Sequence, residues 1–169
     1  MDFPPSPIPG ETKPAQDLTL FLDADACPVK DEAYRVSRRY GVKVSVVANA
    51  PLRVPVDPRI ELVVRAGFGA ADDWIASNAA AWDIVVTADV PLAARAVAVG
   101  AIVIDPKGRL LTDNNVGAAL ATRNLMEELR QYGPQSGGPA PMTAKDRSRF
   151  LASLDEAIHT SRRGRANRK

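Results

Sequence analysis

The stretch DIVVTADVPLAARAVAVGAIVID, residues 83–105, decides the fold. Its first part, DIVVTAD (83–89), is a short β-branched run that ends in an acid. PLAARAVAV (91–99) follows as a helical pattern, with Gly100 as its stop. AIVID (101–105) returns to strand character. The strand residues are almost continuously apolar, as in strands covered on both faces, and strands joined through a helix pair in parallel.

The same rhythm extends in both directions. LTLFLDAD (18–25), VKVSVVAN (42–49) and IELVVRAG (60–67) read as strands, and PKGRLL (106–111) as a turn into a short extra strand. Helical patterns cover 28–40, with Pro28 suited to the first turn and Gly41 past the end, then 71–82, and then 114–132, capped by Asp113 or Thr112 and stopped at Gly133. Only APLRVPVDPR (50–59) breaks the alternation, with three prolines and no helix. Alternating strands and helices predict an α/β domain whose mostly parallel central sheet is flanked by helices on both faces, a three-layer α/β/α arrangement.

The expected organisation is a disordered Pro-rich tail over 1–17, one domain over 18–160 and a basic tail over 161–169. Within the domain, GPQSGGPAP (133–141) reads as a linker to a last helix over about 143–160. That helix opens on a capping-box pattern at Thr143 and Asp146 and carries Phe150, Leu151, Leu154 and Ile158.

Composition removes several classes. With 169 residues, 46% of them apolar, the chain suffices for one core. No apolar run is long enough to span a bilayer, so no membrane partner is expected. The opening MDFPPSPIPGETKPAQ has no basic start, apolar block or cleavage site, which predicts no signal peptide. One cysteine, Cys27, excludes an intrachain disulfide and a multi-cysteine zinc site, and fits a reducing cytoplasm. Cys27 reads as a packed residue, and Trp74 and Trp82, eight apart on the expected helix, as packing on one face. Residues 1–142 carry 14 basic and 17 acidic side chains, a net of −3, whereas 143–169 carry 8 and 3, a net of +5. A tail of that charge either holds a polyanion by its phosphates or is simply solvated.

The acids point to chemistry. Ligands of an open α/β sheet bind beyond the carboxyl ends of its strands. Asp23 and Asp25 close the first strand, two apart and so expected on one face; Asp89 closes the fourth. Asp72 and Asp73 stand in the first turn of the helix after the third, reached through Gly67-Phe68-Gly69. Each acid has a plainer reading, as a helix cap or a charge near a helix N-terminus. Gathered on one rim they repel unless a cation sits among them, and oxygen-only ligands suit Mg²⁺ or Mn²⁺. The only histidine, His159, lies in the last helix, which argues against a Ser-His-Asp triad or a His-ligated zinc site. A hard cation on such a rim serves to activate water and to stabilise charge on a phosphodiester.

Five motifs then carry a resemblance: DADACPV (23–29), VVAN (46–49) with a following Leu52-Arg53, AGF-x-x-AD (66–72), TADVPLAARA (87–96), and GGP followed by DR-x-x-F (137–150). In this order they resemble the YaiI/YqxD family of bacterial proteins, over about residues 18–160. That family is similar to the PIN-like superfamily, whose members have a parallel sheet flanked by helices. Many of those are metal-dependent nucleases acting mainly on RNA. The resemblance implies a fold of that kind, Mg or Mn as cofactor and RNA as partner. It implies Asp23, Asp72 and Asp89 as catalytic, metal-holding acids and Asp25 as a further ligand or orienting acid. Thr87 would join the site through its hydroxyl, Asn49 and Arg53 would meet a phosphate, and Asp73 would make up for Gly69, where some relatives carry an acid.

Two other readings stand beside it. One is a non-catalytic RNA-binding or protein-interaction module that keeps the acid rim. The other is a haloacid-dehalogenase-like phosphatase, suggested by Asp23-x-Asp25, but Cys27 stands where that motif needs Thr or Val. The acid pair Asp72-Asp73 also precedes the Thr87 strand, the reverse of that family's order.

Overall fold

The computed structural model describes residues 17–132 and 141–167. Its six strands are β1 (Thr19–Asp23), β2 (Lys43–Ala48), β3 (Ile60–Val64), β4 (Ile84–Val86), β5 (Ile102–Ile104) and β6 (Leu110–Leu111). They form one sheet in the order β3-β2-β1-β4-β5-β6. The first five are mutually parallel, and β6 runs antiparallel beside β5. The helices are α1 (Lys30–Tyr40), α2 (Ala70–Asn78), α3 (Val90–Ala98), α4 (Asp113–Tyr132) and α5 (Ala144–Ala166).

Strand alternation builds two cores. Leu20, Leu22, Val44, Val46, Ile84, Val86 and Ile104 face α1 and α5, meeting Ala33, Phe150, Leu154 and Ile158. Phe21, Val47, Val63, Val85 and Val103 face the other way, onto Ile75 of α2, Leu92 and Ala96 of α3 and Val116 of α4. The outcome is the three-layer α/β/α arrangement, with strand residues buried on both sides. No helix joins β2 to β3. The Pro-rich connection instead packs Leu52 and Val54 into the α1/α5 core, where a crossover helix would otherwise lie.

Several local expectations change. Pro28 precedes α1 by two residues rather than opening it. The helix expected over 71–82 stops at Asn78, so Trp82 does not share a helical face with Trp74. Asp83 holds the chain beyond the stop. Its buried carboxylate accepts the N–H groups of Ala80 (2.9 Å) and Thr19 (3.0 Å). Trp82 is left at φ 70°, in the left-handed region. α5 packs onto it: Ser161 donates to the Trp82 carbonyl, and Gly164 lies so close that an added Cβ would stand 2.4 Å from the indole ring.

The expected basic tail over 161–169 is helical as far as Ala166. Its inner side continues the packed face of α5, with Ser161 wholly buried. Two of its cations are used internally, Arg162 on Asp17 (2.8 Å) and Arg165 on Asp83 (2.6 Å). The expected Pro-rich tail, apart from Asp17, and all but the last residue of the expected 133–141 linker lie outside the described residues. Among the described residues no helix is long and apolar enough to cross a membrane.

Candidate active site

β1 and β4 are neighbours, yet the chain leaves β1 towards α1 on one face and β4 towards α3 on the other. This divergence makes the carboxyl edge between β1 and β4 the topological switch point of the sheet, the usual ligand position in an open α/β fold. Three chain-distant acids border it: Asp23 ends β1, Asp89 is the N-cap of α3, and Asp72 stands in the first turn of α2.

Thr87 ties two of them together. Its buried hydroxyl donates to Asp23 Oδ2 (2.8 Å) and accepts the backbone N–H of Asp89 (2.9 Å). Asp89 Oδ1 accepts the N–H of Leu92 (2.9 Å), so this acid does cap its helix. Asp23 Oδ1 and Asp89 Oδ2 have no protein donor among the described residues, nor has either oxygen of Asp72.

Asp25 lies just past the end of β1, and its charge acts on Asp23. β1 ends at Asp23, and Ala24–Ala26 form a 3-10 turn, so strand alternation no longer applies. The Asp25 carboxylate turns to the end of β2, where both oxygens accept the N–H of Asn49 (3.2 and 3.0 Å). Asp25 and Asn49 thereby lace the DADACPV loop to β2. Arg53 is exposed and without a partner among the described residues. Asp73 points outward to Arg95 of α3 (2.7 Å), fastening α2 to α3 beside that edge.

The acids disturb one another. Burial first, then the charges of Asp23, Asp89 and Asp73, push the Asp72 pKa up from 3.8 to about 6, against a weaker pull from Arg95. Asp23 is also raised, by burial and then by Asp89 and Asp25, although the Thr87 hydrogen bond opposes this. An acid that binds its proton more tightly when folded favours the fold at low pH. Without divalent cation, the wild type is therefore expected to lose stability relative to Asp72→Asn as pH rises from about 4 to about 6. Urea unfolding of both proteins at pH 4 and pH 7 reads this, and equal differences at the two pH values would contradict it.

Among the described residues no three Asp, Glu, His or Cys side chains form a ready-made metal cage. The donor set is nevertheless all oxygen, partly desolvated and without an ion-pair partner on Asp23, Asp72 or Asp89 among the described residues. That chemistry fits a hard cation that keeps several waters and needs only one or two carboxylates plus a substrate phosphate.

Residues outside the acid set support it. Arg147, from the DR-x-x-F motif, donates to the Pro28 carbonyl (2.9 Å) and to Glu32 (3.0 Å). It pins the loop behind Asp23, while Asp146 completes the capping box of α5 and Phe150 enters the core. The motif was visible in the sequence, but its partner 115 residues away was not. Cys27 is buried, and burial raises its thiol pKa, which suits packing rather than nucleophilic attack.

Sheet order and rim define a doubly wound α/β protein with acids at its switch point. The chain belongs to the YaiI/YqxD family: the family described as "Uncharacterized BCR, YaiI/YqxD family" matches residues 21–160. Its relatives are UPF0178 proteins. The one from Rhodospirillum centenum is 54% identical over 153 residues, covering 88% of this chain and 99% of that protein. That from Nitrobacter winogradskyi is 53% identical over 153 residues, covering 90% and 98%. That from a Bradyrhizobium strain is 52% identical over 159 residues, covering 94% and 95%. No solved structure matches the chain.

Proposed function

We propose that the protein is a PIN-like, Mg²⁺- or Mn²⁺-dependent phosphodiesterase that cleaves RNA. One observation carries the reading: Asp23, Asp72 and Asp89 come from distant parts of the chain and meet at one edge of the sheet, where burial and then their mutual repulsion raise the Asp72 pKa to about 6. A fold keeps such a strain where something cationic relieves it. When bound, a divalent cation lowers the pKa of water and neutralises charge on a phosphate. The chain's own part is placement. Thr87 fixes one oxygen of Asp23 and Leu92 one oxygen of Asp89, which leaves the other oxygens to face a cation. Asp72, without a protein donor among the described residues, is the acid free to adjust.

The test pairs two measurements on the full chain. Calorimetric titration with Mn²⁺ is expected to show binding that weakens as pH falls through about 6. Incubation with single-stranded RNA is expected to give cleavage with Mn²⁺ and none with EDTA. Binding of Mn²⁺ without cleavage would reject catalysis and favour a module that merely keeps the rim. Absence of both would return the acids to a structural role.

A further inference from the structure

Phe68 is fully exposed, four residues before Asp72. Single exposed apolar side chains are ordinary on protein surfaces. This one differs in how it is held and where. The Ala70 N–H donates to the Gly67 carbonyl (3.2 Å), which closes a four-residue turn with Phe68 at its tip. Gly67 and Gly69 take φ 112° and 73°, and the ψ of 0° at Gly69 matches the third position of a type II turn. The Asp73 N–H then donates to the Gly69 carbonyl (2.9 Å), so the turn leads directly into the helix that carries Asp72. The ring belongs to neither core. By contrast Trp74 lies against Phe21, with ring centroids 6.0 Å apart, and Arg65 covers its face at 5.7 Å.

We infer that Phe68 is a stacking platform for an unpaired nucleobase of the strand whose backbone meets the acid rim. This rests on the nuclease reading and adds the substrate class, single-stranded nucleic acid. An acidic rim repels phosphates, so affinity has to come from elsewhere, and base–aromatic stacking is independent of charge. Paired bases in a duplex offer no open face to a side chain at a turn tip. Arg65 follows the carboxyl end of β3, its backbone N–H donating to the Ala48 carbonyl (2.9 Å), and Arg53 is exposed in the connection after β2.

The test measures fluorescence anisotropy of the full chain with a labelled ten-nucleotide RNA, in EDTA so that the strand stays intact. Phe68→Ala is expected to weaken binding about tenfold or more, within the range of one lost stack. Phe68→Trp is expected to retain affinity and to show indole quenching when the strand binds. On an abasic ribose-phosphate strand of the same length, wild type and Phe68→Ala are expected to bind alike. Equal binding of the base-bearing strand by wild type and Phe68→Ala would overturn the stacking role and leave the turn tip to a protein partner. Equal losses on both strands would also overturn it. If the wild type binds no nucleic acid, the nuclease reading fails and the inference falls with it.

Discussion

Asp23→Asn is expected to reduce Mn²⁺-dependent RNA cleavage on the order of 10³-fold, the several kcal/mol that a correctly held cation contributes. The fold should survive, because the amide can still accept from Thr87, whose hydroxyl is the only hydrogen-bond partner of Asp23's side chain among the described residues. Removing a charge from a repelling group should even stabilise the metal-free protein. Thr87→Val gives the companion result. It keeps shape but removes the donor to Asp23 and the acceptor for the Asp89 N–H, leaving a buried amide unsatisfied at about 1–3 kcal/mol. Cleavage should fall by about tenfold or more, with Thr87→Ser restoring it. Asp25→Asn should do much less, since an amide oxygen can still accept the Asn49 N–H. Wild-type turnover by Asp23→Asn would exclude the rim from the reaction and assign the cleavage to another protein in the sample.

Asp83→Ala is expected to destabilise the protein by about 3–5 kcal/mol without touching the chemistry. Asp83 stands at the opposite, amino edge of the sheet and is almost wholly buried. Its oxygens take the N–H groups of Thr19 and Ala80 and the guanidinium of Arg165. Truncation leaves two backbone N–H groups without their acceptor and takes one partner from the Arg165 guanidinium, the costly way to break a buried pair. A fall in melting temperature on the order of 10 °C follows for a chain of this size. At low temperature, where the variant remains folded, its cleavage should match wild type. Asp23→Asn and Asp83→Ala thus separate: one loses activity with the fold intact, the other the reverse. A change below about 0.5 kcal/mol for Asp83→Ala would mean that water satisfies these groups equally well.

The contrast between these two aspartates shows how far the residues could be read in advance. Asp23 and Asp89 were legible because each follows a β-branched apolar run, and strand ends of a parallel sheet face the ligand edge. The sheet was legible for the same reason. Asp83 looked like the polar start of a strand, because its donors, Thr19 and Arg165, lie 64 and 82 residues away. Asp83 also takes the N–H of Ala80, just past the end of α2, which stops early against a run of alanines whose local preference is helical. The two-residue rule does not extend to Asp25, since the strand gives way to a 3-10 turn. The charge excess after residue 143 read as a tail either solvated or holding a polyanion, but Arg162 and Arg165 repeat at helical spacing and pair with Asp17 and Asp83. Phe68 carried no signal in its own pattern, because an aromatic between glycines packs inward as readily as it stands free.

α5 touches both edges of the sheet. Near its start Arg147 reaches Pro28 behind the acid rim, and near its end Arg165 reaches Asp83. Along the way Phe150, Leu154 and Ile158 cover the apolar face made by Ile84, Val86 and Ile104. During synthesis that face is translated well before its cover. At about 5–20 residues per second the interval is on the order of several seconds. A nascent chain therefore carries a sticky, unfinished sheet, and the loop behind Asp23 is braced only when the last helix docks. The brace on the acid rim is thus the last of the described elements to be translated, after every strand of the sheet it completes.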